Sequence, residues 1–513
     1  MTSGDDPASG TPASDIAPVA DASPSGVPAD ASQGRAAVQP VPTEQAAPVL
    51  EPLVDAEMPE DGLAPDPSAV DLATDDPEVV DIDPSADADR LSAVSVGADS
   101  GAAPSASADS AAAGPLDGLR VVDLSRYLPG PLVSRLLADL GARVLKVEEP
   151  KLGDPSRQAP PLVEGRSSLA TLLLAGHESL AVDLKKPLAR EVLDELLDTA
   201  DVLVESFRPG VLASFGLAPR DLRRRFPRLV ICSVTGFGQD GPAAARAGHD
   251  LTYQAVAGAL AGGTGMPATQ TADIVGAWSA LSATLAALWR RERSGEGCHV
   301  DQALLDAAGH SVMTAWAAEA DGEKSVGQPL YLTGAIPCYD LYRTRDDKTL
   351  ALAALEPKFW KRFCDAVGRR DLLLRQFSRK PEHRRTVAEL IASRTRDAWQ
   401  ELMIEHDIPA EPVLSLAEAL EHPQVRHRGL LRRGADGLAR LGFPALLDGR
   451  RPRGDDGFPE IGQHTESVLH ELGVDAGRSA GQLRRGGIGQ RFSWRRLATR
   501  VATAVVTRRQ AKD

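Results

Sequence analysis

GLRVVDLSRYLPGPLVSRLLADLGARVLKVEEP, Gly118 to Pro150, reads as a complete strand, helix, strand unit. Arg120 to Leu124 is a short apolar run of strand character. Pro131 suits the first helical position, where its missing N–H has no intrahelical partner. Leu132, Leu136, Leu137 and Leu140 then form one apolar face at helical spacing, Gly141 supplies a left-handed stop, and Arg143 to Val147 returns as a second strand. A crossover of this kind joins parallel strands.

Outward from this unit the alternation continues. Leu180 to Leu184 reads as a strand, Pro187 opens a helix, Asp201 to Glu205 and Leu229 to Val234 are further strands, and Pro219 starts a short helix between them. Asp250 to Ala261 and Asp273 to Glu292 read as helices. The pattern predicts an α/β fold, a Rossmann-like open parallel sheet with helices on both faces, over 116–334. From 335 to 430 paired strands (Ile336 to Arg343, Thr349 to Ala354) precede helical stretches and predict a smaller α+β domain. A return segment over 431–477 closes the globular part, and there is no internal repeat.

The 513 residues carry 57 basic and 72 acidic side chains, a formal charge of −15. That acidity sits at one end: residues 1–115 hold 22 Asp and Glu against Arg35 and Arg90, a net −20, which leaves the remainder at +5. The same arm lacks Phe, Tyr, Trp, Cys, His and Lys, cannot bury enough apolar area to offset chain entropy, and is expected to be disordered. It has neither the basic start and apolar core of a secretory signal nor the basic character of a transit peptide. No window approaches a membrane span, and no membrane or nucleic-acid partner is expected. Cys232, Cys298, Cys338 and Cys364 are too scattered for a zinc site, so no metal is expected and a reducing cytoplasmic compartment fits. Residues 478–513 form a basic tail, read as solvated or as a helix with Phe492, Trp494, Leu497, Val501 and Val505 on one stripe.

There is no GxGxxG after a strand, no GxxxxGK[ST] and no GxSxG. GGTG at Gly262 to Gly265 reads as a loop. The sharpest constellation is AGHD, with His249 and Asp250 at a loop-to-helix junction, together with TAD, where Asp273 begins another helix. Taken alone, each Asp is an N-cap whose anion the helix dipole favours, and His249 is a structural hydrogen-bonding group. His464, Asp301, Asp306, Trp278 and Trp289 read as packing or capping residues, the two aspartates on one helix face region and the tryptophans in the core.

DLSRYLPGP, GDPSR, SLAVDLKKP, DVLVESFRPGVLASFGL, TGFGQDGP, AGHDLTYQAVAGAL, TADIVGA, RSGEGCHVDQALLD, YRTRDDKTLALAALEPKFW and IGQHTESVL follow one another over Leu116 to Gly473. In that order they resemble the class III CoA-transferase family, the CaiB/BaiF group. LPGP, AGHD and ALEPKFW are most similar to its α-methylacyl-CoA racemases.

The resemblance implies an acyl-CoA-processing enzyme with coenzyme A thioester as substrate and no permanently bound cofactor. In the racemase form, His249 and Asp273 are the two bases that epimerise a 2-methylacyl-CoA. Glu356 supports the charge on His249, and Asp250 lies nearby. In the transferase form, Asp273 attacks the thioester and carries CoA between carboxylic acids as an aspartyl intermediate. Arg157, Lys185 or Lys186, and Arg208 fall at positions expected near the nucleotide. The family's NRGKRS reads LLAGHES here, with Ala175, His177 and Glu178 where Asn and cations are expected, so two positive charges are lost. That departure motivates a third reading, a degenerate non-catalytic scaffold. The resemblance also implies an interlocked homodimer in which the small domain of one subunit meets the large domain of the other.

Overall fold

The computed structural model describes residues 114–261, 265–322, 332–452 and 457–473. The acidic arm, the first three residues of GGTG and the basic tail lie outside them.

Strands β1 (Arg120–Asp123), β2 (Arg143–Glu148), β3 (Glu178–Ala181), β4 (Val202–Glu205), β5 (Val230–Thr235) and β6 (His299–Ala303) form one sheet in the order β3-β2-β1-β4-β5-β6. Every neighbouring pair is parallel, with Val122 opposite Leu145 on one side and Leu203 on the other. The chain leaves β1 in one direction and starts again at β4 in the other, which opens a crevice beyond the carboxyl ends of these two strands.

Helix α1 (Pro129–Asp139) takes Pro129, not Pro131, as its first residue. Both prolines fall where backbone N–H groups lack intrahelical partners, so the shift costs no hydrogen bond. Gly130 between them is required by contact: a Cβ there would lie 2.3 Å from Ser125 Cβ. Gly141 adopts φ of 106° as expected.

Val121, Leu136, Leu137, Val204, Val230, Ala280 and Leu288 build the core on one face of the sheet. Val122, Leu180, Val192, Leu193, Leu203 and Ile231 build it on the other. Leu137 and Leu193 are almost wholly excluded from solvent, and truncating either to Ala costs about 2–5 kcal/mol.

Several expectations need correction. Strand β3 ends at Ala181 instead of running to Leu184. The strand β6 was not anticipated, because Asp301 and Gln302 interrupt its apolar run. Asp301 therefore lies on a strand, while Asp306 lies on the helix Leu304–Ser311 that follows. The helix α2 (Asp250–Val256) is shorter than its sequence pattern, and α3 (Thr271–Ser294) starts two residues before Asp273. By length and composition α3 could cross a membrane, with a mean hydropathy of 1.3 over its most apolar window, contrary to the sequence reading. Its apolar side packs into the core through Ala272, Ala277, Ala280, Leu281 and Leu288. Trp278 is partly buried against that core, but Trp289 is 68% exposed.

The antiparallel strands β7 (Tyr339–Arg343), β8 (Thr349–Ala353) and β9 (Ala410–Pro412) pair in the order β9-β8-β7. They pack with helix α4 (Pro357–Ala366) around Trp360, Phe363, Ile391 and Trp399. RRTVAELIASRTRDAWQELMIEHD, part of the helical sequence after the paired strands, forms two helices, Pro381–Ile391 and Arg396–Glu405, divided where Thr395 caps Ala398 N–H. The return segment reaches the large sheet: Thr465 Oγ1 accepts from Ala181 N–H at 3.1 Å, His464 Nδ1 from Ser179 N–H at 3.0 Å, and Val468 and Leu469 join the core.

Candidate active site

His249 is the N-cap residue of α2, extended at φ −136° and exposed. The Thr252 hydroxyl fixes its backbone, accepting from His249 N–H at 3.0 Å and donating to His249 O at 2.7 Å. One turn on, Tyr253 fills a slot that glycine makes possible: a Cβ on Gly236 or Gly248 would fall within 2.5 Å of its ring or hydroxyl. Phe237 meets that ring edge-on at 5.2 Å. The imidazole of His249 is thus presented outward from a firmly packed turn.

Asp250, 7% exposed, links this turn to the next helix. Its Oδ2 accepts from Gln254 Nε2 at 2.6 Å and its Oδ1 accepts the backbone N–H of Asp273 at 3.1 Å. That N–H belongs to the first turn of α3, where backbone donors have no helical partner. His249 and Asp273 are brought into one neighbourhood by the residue between them.

The Asp273 carboxyl is half-buried, and its pKa rises to about 7. Burial is the larger cause and the negative charge of Asp250 the second. The helix dipole, expected to favour the anion, is outweighed. Tyr253 is pushed up to about 12, chiefly by burial and next by Asp273, while Arg208 acts in the opposite direction. Arg208 therefore lies within electrostatic reach of the same centre, exposed on the loop after β4.

Glu205, at the end of β4, holds that loop by accepting from Phe207 N–H at 2.9 Å. It is almost fully buried, which raises its pKa against a hydrogen bond from Ser233 that lowers it. The ESFRPG run carries the signal for this turn, though not for the burial of its carboxylate.

The other expected binding residues are dispersed. Arg157 is held by Glu148 through two hydrogen bonds of 2.8 and 2.7 Å and donates to Pro459 O at 2.9 Å, with Phe458 against the guanidinium face. Lys185 is exposed on the turn before the helix Pro187–Asp198, its backbone N–H donating to Asp183 Oδ1 at 3.1 Å. Glu356 is exposed at the N-cap of α4, with no hydrogen bond or ion pair to His249 within the chain. His177, where a cation was expected, is buried, and burial lowers its pKa to about 3, so it is neutral. Glu178 pairs with Arg143 at 2.8 Å. Among the described residues no group of His, Cys, Asp and Glu is placed to hold a metal ion.

Tyr127 was not singled out in the sequence, yet its ring lies edge-on to His249 with centroids 6.3 Å apart. It sits at the mouth of the β1/β4 crevice with φ of 71°, a conformation that costs a non-glycine residue about 1–3 kcal/mol. No pattern of residue types announces a left-handed tyrosine.

The profile of CoA-transferase family III matches residues 116–465. The human α-methylacyl-CoA racemase is 32% identical over 371 residues, covering 70% of this chain and 93% of that protein. The succinate–glutarate CoA-transferase of Agrobacterium fabrum is 34% identical over 389 residues, covering 70% and 96%. The crystal structure of a CaiB/BaiF family protein from Brucella suis superposes with a TM-score of 0.62 at 29% identity, over 70% of this chain and all of that one. A racemase and a CoA-transferase match the chain about equally well over nearly their whole length, and the chain belongs to CoA-transferase family III, a family of enzymes acting on CoA thioesters.

Proposed function

We propose that the chain epimerises 2-methylacyl-CoA thioesters by two-base proton transfer between His249 and Asp273. The observation that carries this reading is the proton affinity of Asp273, held at about 7 by burial and by Asp250. In such a substrate the thioester acidifies the α-hydrogen. One base removes that proton, and the electron pair moves onto the thioester oxygen as an enolate. The acid on the opposite face returns a proton to carbon, inverting it. A group whose pKa lies near neutrality serves in either direction, and each positioned transfer contributes about 10² to 10⁴ in rate. Backbone N–H groups of the first turn of α3 are suited to the enolate oxygen.

Arg208 and Lys185 are assigned to the phosphates of CoA, since both are exposed. Arg157 is committed to Glu148 and Pro459, and we assign it to holding its own turn. Glu356 is assigned to His249 of a second copy in an interlocked homodimer, a role its exposure leaves open.

The competing reading, CoA transfer through an aspartyl thioester, needs Asp273 as an ionised nucleophile. It is supported by the similarity to succinate–glutarate CoA-transferase. Incubating the protein with a 2-methylacyl-CoA in D₂O, without an acceptor acid, separates the two. Deuterium at the α-carbon is expected. Thioester formation that depends on an acceptor, with an adduct on Asp273 and no exchange in its absence, overturns the racemase reading.

A further inference from the structure

We infer that Tyr127 is a positioning residue for His249, held in place by the buried Asp123, Lys146 and Asp154. The inference rests on the reading of His249 given above. Among the described residues four others outside glycine have positive φ, and they are Glu164, Asp347, Asp407 and Asp448. Aspartate can offset the left-handed conformation with local hydrogen bonds, whereas tyrosine cannot. A strained residue persists only where its surroundings over-determine it.

The surroundings here do so. Lys146, 1% exposed, lies between Asp123 at 3.2 Å and Asp154 at 3.1 Å and donates to Ser125 O. Asp123 Oδ1 accepts from Ser125 N–H at 2.8 Å, Ser206 Oγ from Arg126 N–H at 2.9 Å, and Asp154 Oδ1 from Tyr127 N–H at 3.4 Å. Three consecutive backbone N–H groups are thus taken, two of them by carboxylates that the same buried ammonium holds. The product of all this is an aromatic ring, 55% exposed, standing at 84° to the His249 imidazole. Its hydroxyl makes no hydrogen bond to the described residues, so the ring itself is the working part.

The test uses the full chain with Tyr127→Phe, Tyr127→Ala and Tyr127→Gly. The readouts are the proton resonances of His249, assigned by their loss in His249→Ala, the kcat and KM of α-hydrogen exchange, and the Tm. Tyr127→Phe should match the parent in all of them. Tyr127→Ala and Tyr127→Gly should displace the His249 resonances and lower kcat by about 10², as expected when a catalytic group is misplaced by about 1 Å, with KM little changed. Tyr127→Gly should melt above Tyr127→Ala, because glycine alone tolerates the positive φ without strain. Unchanged His249 resonances and unchanged kcat in Tyr127→Ala overturn the inference. If the resonances move but the parent exchanges no thioester hydrogen, the proposed reaction falls and the positioning contact stands.

Discussion

Asp250 Oδ1 accepts the backbone N–H of Asp273 at 3.1 Å across 23 residues of sequence. One oxygen anchors the TAD helix to the AGHD turn, and the charge on the same carboxylate raises the proton affinity of the Asp273 side chain. Anchoring and electrostatic tuning therefore belong to one group, and a substitution can divide them.

Asp250→Asn keeps an oxygen for the Asp273 N–H but removes the charge. The pKa of Asp273 should fall toward the ordinary carboxylate range, and the limb of the pH–rate profile that needs protonated Asp273 should move to lower pH. On the alkaline side each unit of that movement lowers the rate about tenfold. Asp250→Ala should also lower the Tm, since it strips the acceptor from the part-buried Asp273 N–H and from the buried Gln254 amide, at about 1 kcal/mol or more. Exchange rates from pH 5 to 9, with melting curves, check both.

Asp273→Asn should lose exchange by about 10² to 10⁴ while gaining stability at alkaline pH. The sign follows from linkage. The folded Asp273 pKa, about 7, lies above the usual unfolded value, so between roughly pH 4 and 7 the unfolded chain has released a proton that the folded chain retains. That contribution disfavours the fold increasingly as pH rises through this window and is complete above it. Asparagine removes it, so the Tm difference between variant and parent should grow from pH 4 to pH 8, by about 1–1.5 °C per kcal/mol for a folded part of this size.

The sheet was legible because apolar runs alternate with helical faces at the spacing a parallel fold demands. β6 was hidden because a terminal strand tolerates polar residues, here Asp301 and Gln302. In the site, His249, Asp250 and Asp273 could be named from sequence, but the bond between the latter two could not, since it depends on a tertiary approach to a helix terminus. The state of Asp273 was only half legible: position in the helix argued for the anion, whereas the burial that favours the acid comes from tertiary packing. Tyr127 was illegible, because left-handed backbone is ordinarily announced by glycine.

Lys146→Met should be strongly destabilising. The lysine is fully buried; burial is the largest single influence on it and lowers its pKa, but the charges of Asp123, Asp154 and Glu148 together outweigh burial and raise it. Removing it leaves carboxylates uncompensated, at a cost of about 3–5 kcal/mol. Asp154 is the clearest case, since its pKa is lowered by that ammonium against burial. A Lys146→Met, Asp154→Asn double variant should recover part of the loss, and urea midpoints for the single and double variants measure it.

Arg157 and Arg208, which sequence alone treats alike, differ in their surroundings. Arg157 makes a nearly buried pair with Glu148 at 2.7 Å, and Glu148 in turn accepts from Ser179 Oγ at 2.5 Å. Arg157→Ala should therefore lower the Tm by about 4 °C, the equivalent of a broken buried charge pair of about 3 kcal/mol. Arg208 is exposed and makes no ion pair with the described residues, so Arg208→Ala should leave the Tm within about 1 °C, as exposed substitutions usually do. If its guanidinium meets a CoA phosphate, the KM for the thioester should rise about tenfold while kcat holds, the pattern of lost uniform binding. An added dependence of KM on salt, present in the parent and reduced in Arg208→Ala, would identify the contact as electrostatic. A loss of Tm in Arg208→Ala with unchanged KM would instead make it a structural residue of the ESFRPG turn.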